Sequence, residues 1–403
     1  MIYIEGGVCA AAGYKAAGIN CGIKKGEKKD LALIVSEKRA VTAGIYTQNL
    51  VKGAPITVTK KNISDGYASA IICNSGNANT CNANGIEIAE GMCALVEKHL
   101  GIPACDVAVA STGVIGQPLD LAPISSGMDA LAAALGKSGS GDAAQAIMTT
   151  DTRKKEAAIE FSLGGKPARI GAIAKGSGMI HPNMATMLVF VTTDAAISPE
   201  MLQKALGCSA EDTFNMISVD RDTSTNDTML VMANGLAGNE EITGEGHDYE
   251  AFRAALFELS AHLCRLIARD GEGATKLLEC CVSGAKDKAS ARAISKSVIC
   301  SPLLKCAMFG SDANWGRVLC AIGYAGVETD LDKIGVTFKS RSGSVTVCRN
   351  GRGVNFSEDI AKRVLGEDEI IIDVALGDGE AAASAFGCDL SYEYVKINGD
   401  YRS

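Results

Sequence analysis

The chain of 403 residues is poor in histidine, with four, and in tryptophan, with one, and it has no apolar run of membrane-spanning length. Because histidine is scarce and no Cys-x-x-Cys pair occurs, the sequence gives little support to a zinc site, and we expect no metal. The absence of a long apolar run argues against a transmembrane helix. The first residues, MIYIEGG, lack the basic and then apolar pattern of a secretory signal. These absences predict a cytoplasmic protein.

An excess of positive charge is also missing. The 39 Lys and Arg residues stand against 47 Asp and Glu, which gives a net charge of −8. Neither nucleic acid nor a membrane surface is therefore an expected partner. The one dense basic segment, KKGEKK at 24–29, is expected to be a solvated turn, with phosphate binding as the alternative.

Cysteine, by contrast, is frequent, with 15 residues. The number is odd, and some of the cysteines lie in apolar runs such as 70–73 and 298–300. There they are expected to pack as small core side chains in a reduced protein.

Short β-branched runs alternate with helical patterns along the chain, which is typical of an α/β fold. The runs predict strands at 31–35, 56–59, 70–73, 107–110 and 370–376. One predicted helix carries Ile88, Met92, Leu95 and Val96 on one face. A second carries the apolar positions 252, 256, 259, 263 and 266 and is expected to end at Asp270, with Gly271 as its C-cap.

The most informative segment is a loop, KGSGMIHPNMA at 175–185, that leads into the apolar run TMLVFVTT at 186–193. The run is typical of a buried strand. From its local context Thr186 is either a plain strand residue or a nucleophile held rigidly at the junction. If the bond between Ala185 and Thr186 were cut, the freed α-amine would be the base that activates the Thr186 hydroxyl.

A second candidate element, STGVIG at 111–116, follows the predicted strand 107–110. The Thr112 hydroxyl and the Gly113 N–H could point at one position, as the donors of an oxyanion hole do. A plain turn containing glycine is the alternative.

The string KGSGMIHPNMATM at 175–187 closely resembles the signature of the glutamate N-acetyltransferase (ornithine acetyltransferase) family of arginine biosynthesis. STGVIG is similar to a second element of that family, and the resemblance covers essentially the whole chain through KDLALI (29–34), NSGNAN (74–79), DTSTNDT (222–228), NWGR (314–317) and GCDL (387–390). The departures are small: Arg221 stands where glycine is usual, Ala313 where proline is common, and Phe386 where tryptophan is common. The resemblance implies a layered α/β architecture that is cleaved between Ala185 and Thr186 into an α chain, 1–185, and a β chain, 186–403.

The resemblance also implies roles for individual residues. Thr186 is the implied nucleophile, and Thr112 and Gly113 are implied to stabilise the oxyanion. The implied substrate-binding residues are Thr149 in TTDT (149–152), with Thr152 as the second choice, Lys175, Thr186, Glu272 in GEGATK (271–276), Asn398 and Ser403. The Lys175 charge suits a carboxylate, and the glycines that flank Glu272 would let a ligand approach closely.

The implied reaction moves an acetyl group from N-acetylornithine to glutamate in two half-reactions, through acetyl-threonine and without a cofactor. The expected partners are these small substrates and the α and β chains themselves, in a heterotetramer of two α and two β chains. Three alternatives remain: an enzyme that also takes acetyl-CoA, a self-processing amide hydrolase, and an inert binding protein. The set of Lys175, Glu272, Asn398 and Ser403 argues against the hydrolase. The Ala185-Thr186 junction together with Thr112 and Gly113 argues against the inert protein.

Overall fold

The structure is a computed structural model that describes residues 1–181 and 187–399. Its strands are β1 (Ile2–Ile4), β2 (Tyr14–Ile19), β3 (Leu31–Tyr46), β4 (Tyr67–Asn74), β5 (Val107–Ser111), β6 (Lys155–Leu163), β7 (Lys166–Lys175), β8 (Leu188–Thr193), β9 (Ile217–Ser218), β10 (Thr228–Ala233), β11 (Leu277–Ala285), β12 (Gly335–Ser340), β13 (Gly343–Arg349), β14 (Arg352–Gly353), β15 (Glu369–Ala375) and β16 (Ala381–Cys388).

The helices are α1 (Ala54–Asn62), α2 (Gly85–Leu100), α3 (Ala122–Ala133), α4 (Ser140–Ala146), α5 (Pro199–Asp212), α6 (His247–Arg269), α7 (Lys288–Ile299), α8 (Pro302–Phe309), α9 (Trp315–Gly323), α10 (Glu358–Leu365) and α11 (Tyr392–Asn398). Short 3-10 helices cover Gly7–Cys9, Ala104–Asp106, Phe214–Met216 and Leu331–Lys333. In the described part of the chain, no helix combines the length and the apolar character needed to cross a membrane.

The first sheet has the order β1-β6-β7-β8-β10-β3-β4-β5, and β2 also pairs with β3. β8 and β10 are parallel neighbours in its middle, with Leu188 opposite Thr228. Every residue of these two strands is buried, which explains their continuous apolar sequences. Because β7 borders β8 and β3 borders β10, strands from both sides of the predicted cleavage point are neighbours in this sheet.

The second sheet has the order β14-β13-β12-β15-β11-β16-β9. α6 lies between the two sheets, and its buried face shares one core with Val189 and Val231 of the first sheet and with Leu277 and Phe386 of the second. α7 packs on β11 and β16 in a separate core. The layered α/β architecture expected from the sequence is confirmed.

The predicted strand 56–59 is wrong, because these residues lie in α1. Pro55 occupies the first turn of this helix, where its missing N–H is not needed. The Thr59 hydroxyl donates to the Val109 carbonyl at 2.6 Å and accepts from the Val109 N–H at 2.7 Å. A run of four β-branched and apolar residues does not distinguish a strand from the buried face of a short helix.

The other predicted elements are found in the structure, at β3, β4, β5, β15, α2 and α6. The predicted C-cap of α6 is wrong in detail. Asp270 is the C-cap, with φ −95°, and Gly271 does not have a left-handed φ. A Cβ at Gly271 would lie 2.8 Å from Cys388 Sγ, so this glycine provides room for β16.

All 15 cysteines lie in the described residues, and each is a free thiol. Cys73, in one of the apolar runs, is 1% exposed. Burial raises its pKa to about 12, which keeps the thiol neutral, and it packs in the core as an apolar side chain.

Candidate active site

The loop after β5 is held against the loop after β4. These strands are parallel neighbours, so their carboxyl ends lie at the same edge of the sheet. Asn74 Nδ2 donates to Ser111 Oγ at 2.7 Å, and the Thr112 N–H donates to the Asn74 carbonyl at 3.0 Å. These bonds fix Thr112 and Gly113 at that edge.

Glycine is required at position 113 by both conformation and space. Its φ is +128°, and a Cβ there would lie 2.6 Å from the Gly76 carbonyl carbon. In the described part of the chain, neither the Gly113 N–H nor the Thr112 hydroxyl has a hydrogen-bond partner. Two unengaged donors on adjacent residues match the composition of an oxyanion hole.

The Asp151 carboxylate joins the TTDT turn to the end of β7. It accepts from the Thr149 N–H at 3.0 Å and from the Gly176 N–H at 2.8 Å. Lys175 Nζ donates to Thr149 Oγ1 at 3.3 Å. Burial alone would raise the pKa of Asp151, but the Lys155 and Lys175 cations outweigh it and hold the pKa below its usual value. Asp151 therefore presents Thr149 and Lys175 side by side.

Lys24, in the basic segment that we expected to be solvated, is partly buried behind this turn. Its Nζ donates to Ser75 Oγ at 2.6 Å and to the Met148 carbonyl at 2.5 Å. Burial lowers the pKa of Lys24 to about 8, with Asp30 opposing the shift. The expectation failed at this residue because two of its three hydrogen-bond partners are 51 and 124 positions away in the chain.

Glu272 enters the same region from the turn after α6, and it is 9% exposed. Its N–H donates to the Ser177 carbonyl at 2.9 Å, and its carboxylate accepts from Asn398 Nδ2 at 2.7 Å. A Cβ at Gly178 would overlap the carboxylate. Gly178 therefore makes room for Glu272.

Gly273 follows Glu272, and we expected it to let a ligand approach closely. In the structure it is α11 that approaches this glycine. Gly273 has φ +69°, and a Cβ there would lie 2.6 Å from the Tyr394 nitrogen at the start of α11. Ser391 Oγ also donates to the Gly273 carbonyl. The close approach brings α11, and Asn398 at its end, to Glu272.

A buried network lies behind these residues. Lys155 is 1% exposed and its Nζ contacts Asp151 and Asp270, each at 2.6 Å. Thr152, the second choice for a substrate contact, donates its hydroxyl to Asp270 and does not line the cavity described below. This network joins the TTDT turn to the turn that carries Glu272.

Residues 222–227 pack across the oxyanion loop. Asn226 Nδ2 donates to the Ala78 and Ser111 carbonyls at 2.5 and 2.9 Å, and its Oδ1 accepts from Thr80 Oγ1 at 2.6 Å. Arg221, which precedes this segment, has φ +72°. That left-handed conformation explains why glycine suits the position.

These elements surround one cavity of about 110 Å³. The predicted site residues that line it are Thr112, Gly113, Thr149, Lys175, Glu272 and Asn398. The rest of its described lining is formed by Ala78, Ile115, Thr150, Gly178, Met179, Ile180, Met187, Ser224, Thr225, Asn226 and Asp227. Ala185, Thr186 and Ser403 lie outside the described residues. Met187, the next residue in the chain after Thr186, is in the lining.

Asp227 is the lining residue with reactive chemistry that the sequence analysis missed. It is 3% exposed, and within the described residues its Oδ2 has no hydrogen-bond partner. The only signal was its place in DTSTNDT, directly before the apolar run of β10. Aspartate is common in the turns that precede strands, so its presence there does not by itself indicate a catalytic role.

Comparison with known proteins identifies relatives over the full length. The ArgJ family model matches residues 15–403. The arginine biosynthesis bifunctional protein ArgJ 1 of Clostridium acetobutylicum is 50% identical over 391 residues, which are 97% of this chain and 96% of the relative. The ArgJ protein of Caldanaerobacter subterraneus is 48% identical over 404 residues, all of both chains. A crystal structure of the Bacillus halodurans ArgJ protein matches with a TM-score of 0.50 and 45% identity, over 53% of this chain and 98% of that one.

Proposed function

The chain belongs to the ArgJ family, and from this premise we propose that it transfers an acetyl group from N-acetylornithine to glutamate, with Thr186 as the acetyl carrier. The observation that carries the proposal is the single cavity in which Thr112, Gly113, Lys175 and Glu272 meet. An acylated amino acid presents a carboxylate, which suits the Lys175 cation. The ornithine side chain presents an ammonium group that does not react, and it suits the Glu272 carboxylate.

In the proposed chemistry the Thr186 hydroxyl attacks the acetyl carbonyl, and the freed α-amine of Thr186 takes the hydroxyl proton. The Thr112 hydroxyl and the Gly113 N–H donate to the oxyanion that forms. Ornithine leaves, and the acetyl group remains as an ester on Thr186. Glutamate then attacks the ester through its amine and leaves as N-acetylglutamate, which frees Thr186 for the next cycle.

The proposal includes cleavage between Ala185 and Thr186 into the α chain, 1–185, and the β chain, 186–403. Two observations support it: Met187, the residue after Thr186, lines the cavity, and the solved Bacillus halodurans chain matches only 53% of this chain, about the share of the β chain. We expect the two chains to assemble as a heterotetramer of two α and two β chains and to work without a cofactor.

The test combines intact mass with a single-turnover reaction. Purified protein is expected to give two chains, the larger beginning at Thr186. N-acetylornithine alone should add one acetyl mass to the larger chain, and glutamate should then remove it as N-acetylglutamate. Thr186→Ala, the control, should show neither cleavage nor loading. Release of free acetate at saturating glutamate would instead identify a hydrolase, and an uncleaved but fully active protein would exclude the freed amine as the base.

For a second donor we propose acetyl-CoA. All three relatives compared above carry the word bifunctional in their names, and the family resemblance implies this donor for bifunctional members. The measurement is acetyl loading of Thr186 by acetyl-CoA in the absence of N-acetylornithine. Loading by N-acetylornithine but not by acetyl-CoA would restrict the enzyme to acetyl transfer between amino acids.

A further inference from the structure

Asp227 has features that the reaction described above does not use. It lines the same cavity as Thr112 and Gly113, it is 3% exposed, and its Oδ2 has no hydrogen-bond partner in the described residues. A buried carboxyl oxygen without a partner is destabilising, so such a group is uncommon unless something binds it. The unused oxygen therefore indicates a contact that forms when the cavity is filled.

The main chain holds Asp227 at this place. Its carbonyl accepts from the Thr47 N–H at 3.0 Å, and the next N–H, of Thr228, donates to the Met187 carbonyl at 2.9 Å. Asn226 ties the same segment to the Ser111 carbonyl at 2.9 Å, one residue before Thr112. Asp227 is thus fixed between β8 and the oxyanion loop.

The surroundings of Asp227 favour the protonated acid. Burial raises its pKa well above the usual value, while a hydrogen bond with Ser224 and the charge of Lys175 lower it. Besides Asp227 and Lys175, the charged residue in the described lining of the cavity is Glu272. A buried carboxylic acid can donate a proton where a carboxylate could only accept one.

We propose that Asp227 is the catalytic acid that protonates the leaving amine. The inference rests on the proposed function and assigns a residue to a step that function requires. In a cavity of about 110 Å³, an amide whose oxygen contacts Thr112 and Gly113 has its nitrogen only one further bond from the same carbon. The nitrogen is therefore within the space that Asp227 lines.

The protons balance over the two half-reactions. In the first, the Thr186 hydroxyl proton goes to the Thr186 amine, the C–N bond of the amide breaks, and Asp227 gives its proton to the departing nitrogen. In the second, the attacking amine of glutamate forms the new C–N bond and gives a proton to the Asp227 carboxylate. The Thr186 ammonium returns its proton to the departing Thr186 oxygen, and the starting state is restored.

The test compares two acetyl donors that differ in their need for an acid. The amide nitrogen of N-acetylornithine leaves as an amine only when it is protonated. Para-nitrophenyl acetate, by contrast, releases a stable phenolate without a proton. Asp227→Asn keeps the shape of the side chain but removes its acid. We expect acetyl loading from N-acetylornithine to fall about 100-fold or more in this variant, and loading from para-nitrophenyl acetate to change less than about threefold.

Asp194→Asn is the matched control. Asp194 is also a buried aspartate whose pKa is raised by burial, and its carboxylate accepts from the Ala12 and Arg169 N–H groups at 2.9 and 2.7 Å. It does not line the cavity. The ratio of the two loading rates should therefore be that of the wild type, even if the variant is less stable.

Three outcomes would overturn the inference. An equal fall with both donors in Asp227→Asn would make Asp227 a structural or positioning residue. Unchanged rates with both donors would remove it from the reaction, and failure of the variant to cleave would assign it to chain processing. The proposed function is tested separately by the wild type: loading from para-nitrophenyl acetate but not from N-acetylornithine would contradict the proposed donor.

Discussion

At the scale of single residues, the site depends on side chains that are small or unengaged. Gly113 and Gly178 leave space that a Cβ would fill, and the Thr112 hydroxyl has no partner within the described residues. Substitution of Thr112 should therefore change the reaction more than it changes the stability, whereas a side chain at Gly113 would also strain the backbone.

Thr112→Ala should lower kcat about 100- to 1000-fold, because it removes one proposed oxyanion donor. The melting temperature should hardly change, since no hydrogen bond to the hydroxyl is lost. Thr59→Ala is the contrasting control: it breaks two hydrogen bonds to Val109 and should cost about 1–2 kcal/mol of stability with little effect on kcat. A fall in kcat of less than about twofold in Thr112→Ala would remove this residue from its proposed role.

Gly178→Ala should raise KM, because the added Cβ would displace the Glu272 carboxylate from its position beside Asn398. The matched control is Gly207→Ala in α5, where a Cβ would contact nothing within 4 Å. That change should stabilise the protein by about 0.5–1 kcal/mol and leave the kinetics unchanged. Steady-state kinetics and urea unfolding check both variants, and an unaltered KM in Gly178→Ala would argue against substrate binding by Glu272.

Arg221→Gly should increase the stability by about 0.5–1 kcal/mol, because the relief of a left-handed φ exceeds the entropy lost by glycine. Asn350→Gly tests the reasoning, since Asn350 also has a positive φ, of 50°, but asparagine adopts it more readily. Its gain should be smaller. Urea unfolding of both variants makes the comparison, and a loss of stability in Arg221→Gly would indicate contacts of the arginine that outweigh its strain.

At the scale of elements, the buried network of Lys155, Asp151 and Asp270 connects the turns that carry Thr149 and Glu272. These residues touch no substrate in the proposed reaction. They determine where the TTDT turn and the start of β6 lie relative to the end of α6. The network therefore links the stability of the fold to the geometry of the site.

Asp151→Asn should lower the stability at pH 7 by about 3 kcal/mol, because it leaves Lys155 with one carboxylate fewer. The folded pKa of Asp151 lies below the unfolded value of about 3.9. Its carboxylate therefore stabilises the fold fully above that value, and this contribution is lost as the pH falls through the folded pKa. Melting temperatures from pH 7 to pH 3 should show a shallower acid dependence in the variant than in the wild type. Parallel curves would mean that Asp151 contributes no charge-dependent stability.

At the scale of the whole molecule, the interleaved first sheet determines what cleavage can do. β8 lies between β7 and β10, and β10 lies between β8 and β3. Strands from the proposed α and β chains thus share hydrogen bonds and two hydrophobic cores. Separation of the two chains would expose the strand edges at which β8 pairs with β7 and β10 pairs with β3.

We therefore expect the α and β chains to elute together under native conditions and to separate only in denaturant. One face of β8 and β10, with Phe190 and Leu230, packs on apolar residues of the α chain and is removed from water only while both chains are present. Size-exclusion chromatography followed by a denaturing gel tests this, with uncleaved Thr186→Ala as the size reference. Separate elution of the two chains without denaturant would contradict the interleaved sheet.

The α/β class and the elements β8 and α6 could be predicted from periodicity, because they bury continuous or regularly spaced apolar residues. The prediction of a strand at 56–59 was wrong because its buried apolar residues are compatible with a short helix as well as with a strand. Lys24 was expected in solvent. It is instead partly buried, where it contacts Ser75 and Met148 from distant parts of the chain, and this burial lowers its pKa.

The sequence by itself determined the family and the candidate residues. Motifs such as KGSGMIHPNMATM and STGVIG are contiguous in the chain, so they can be recognised without knowledge of the fold. Only the tertiary structure decided that the segments carrying Thr112, Thr149, Lys175, Glu272 and Asn398 line one cavity. It also decided that Gly273 makes room for α11 and that Asp227 is buried with an unused oxygen. Burial, close approach and a raised pKa arise from contacts between residues far apart in the chain, and local sequence patterns do not contain them.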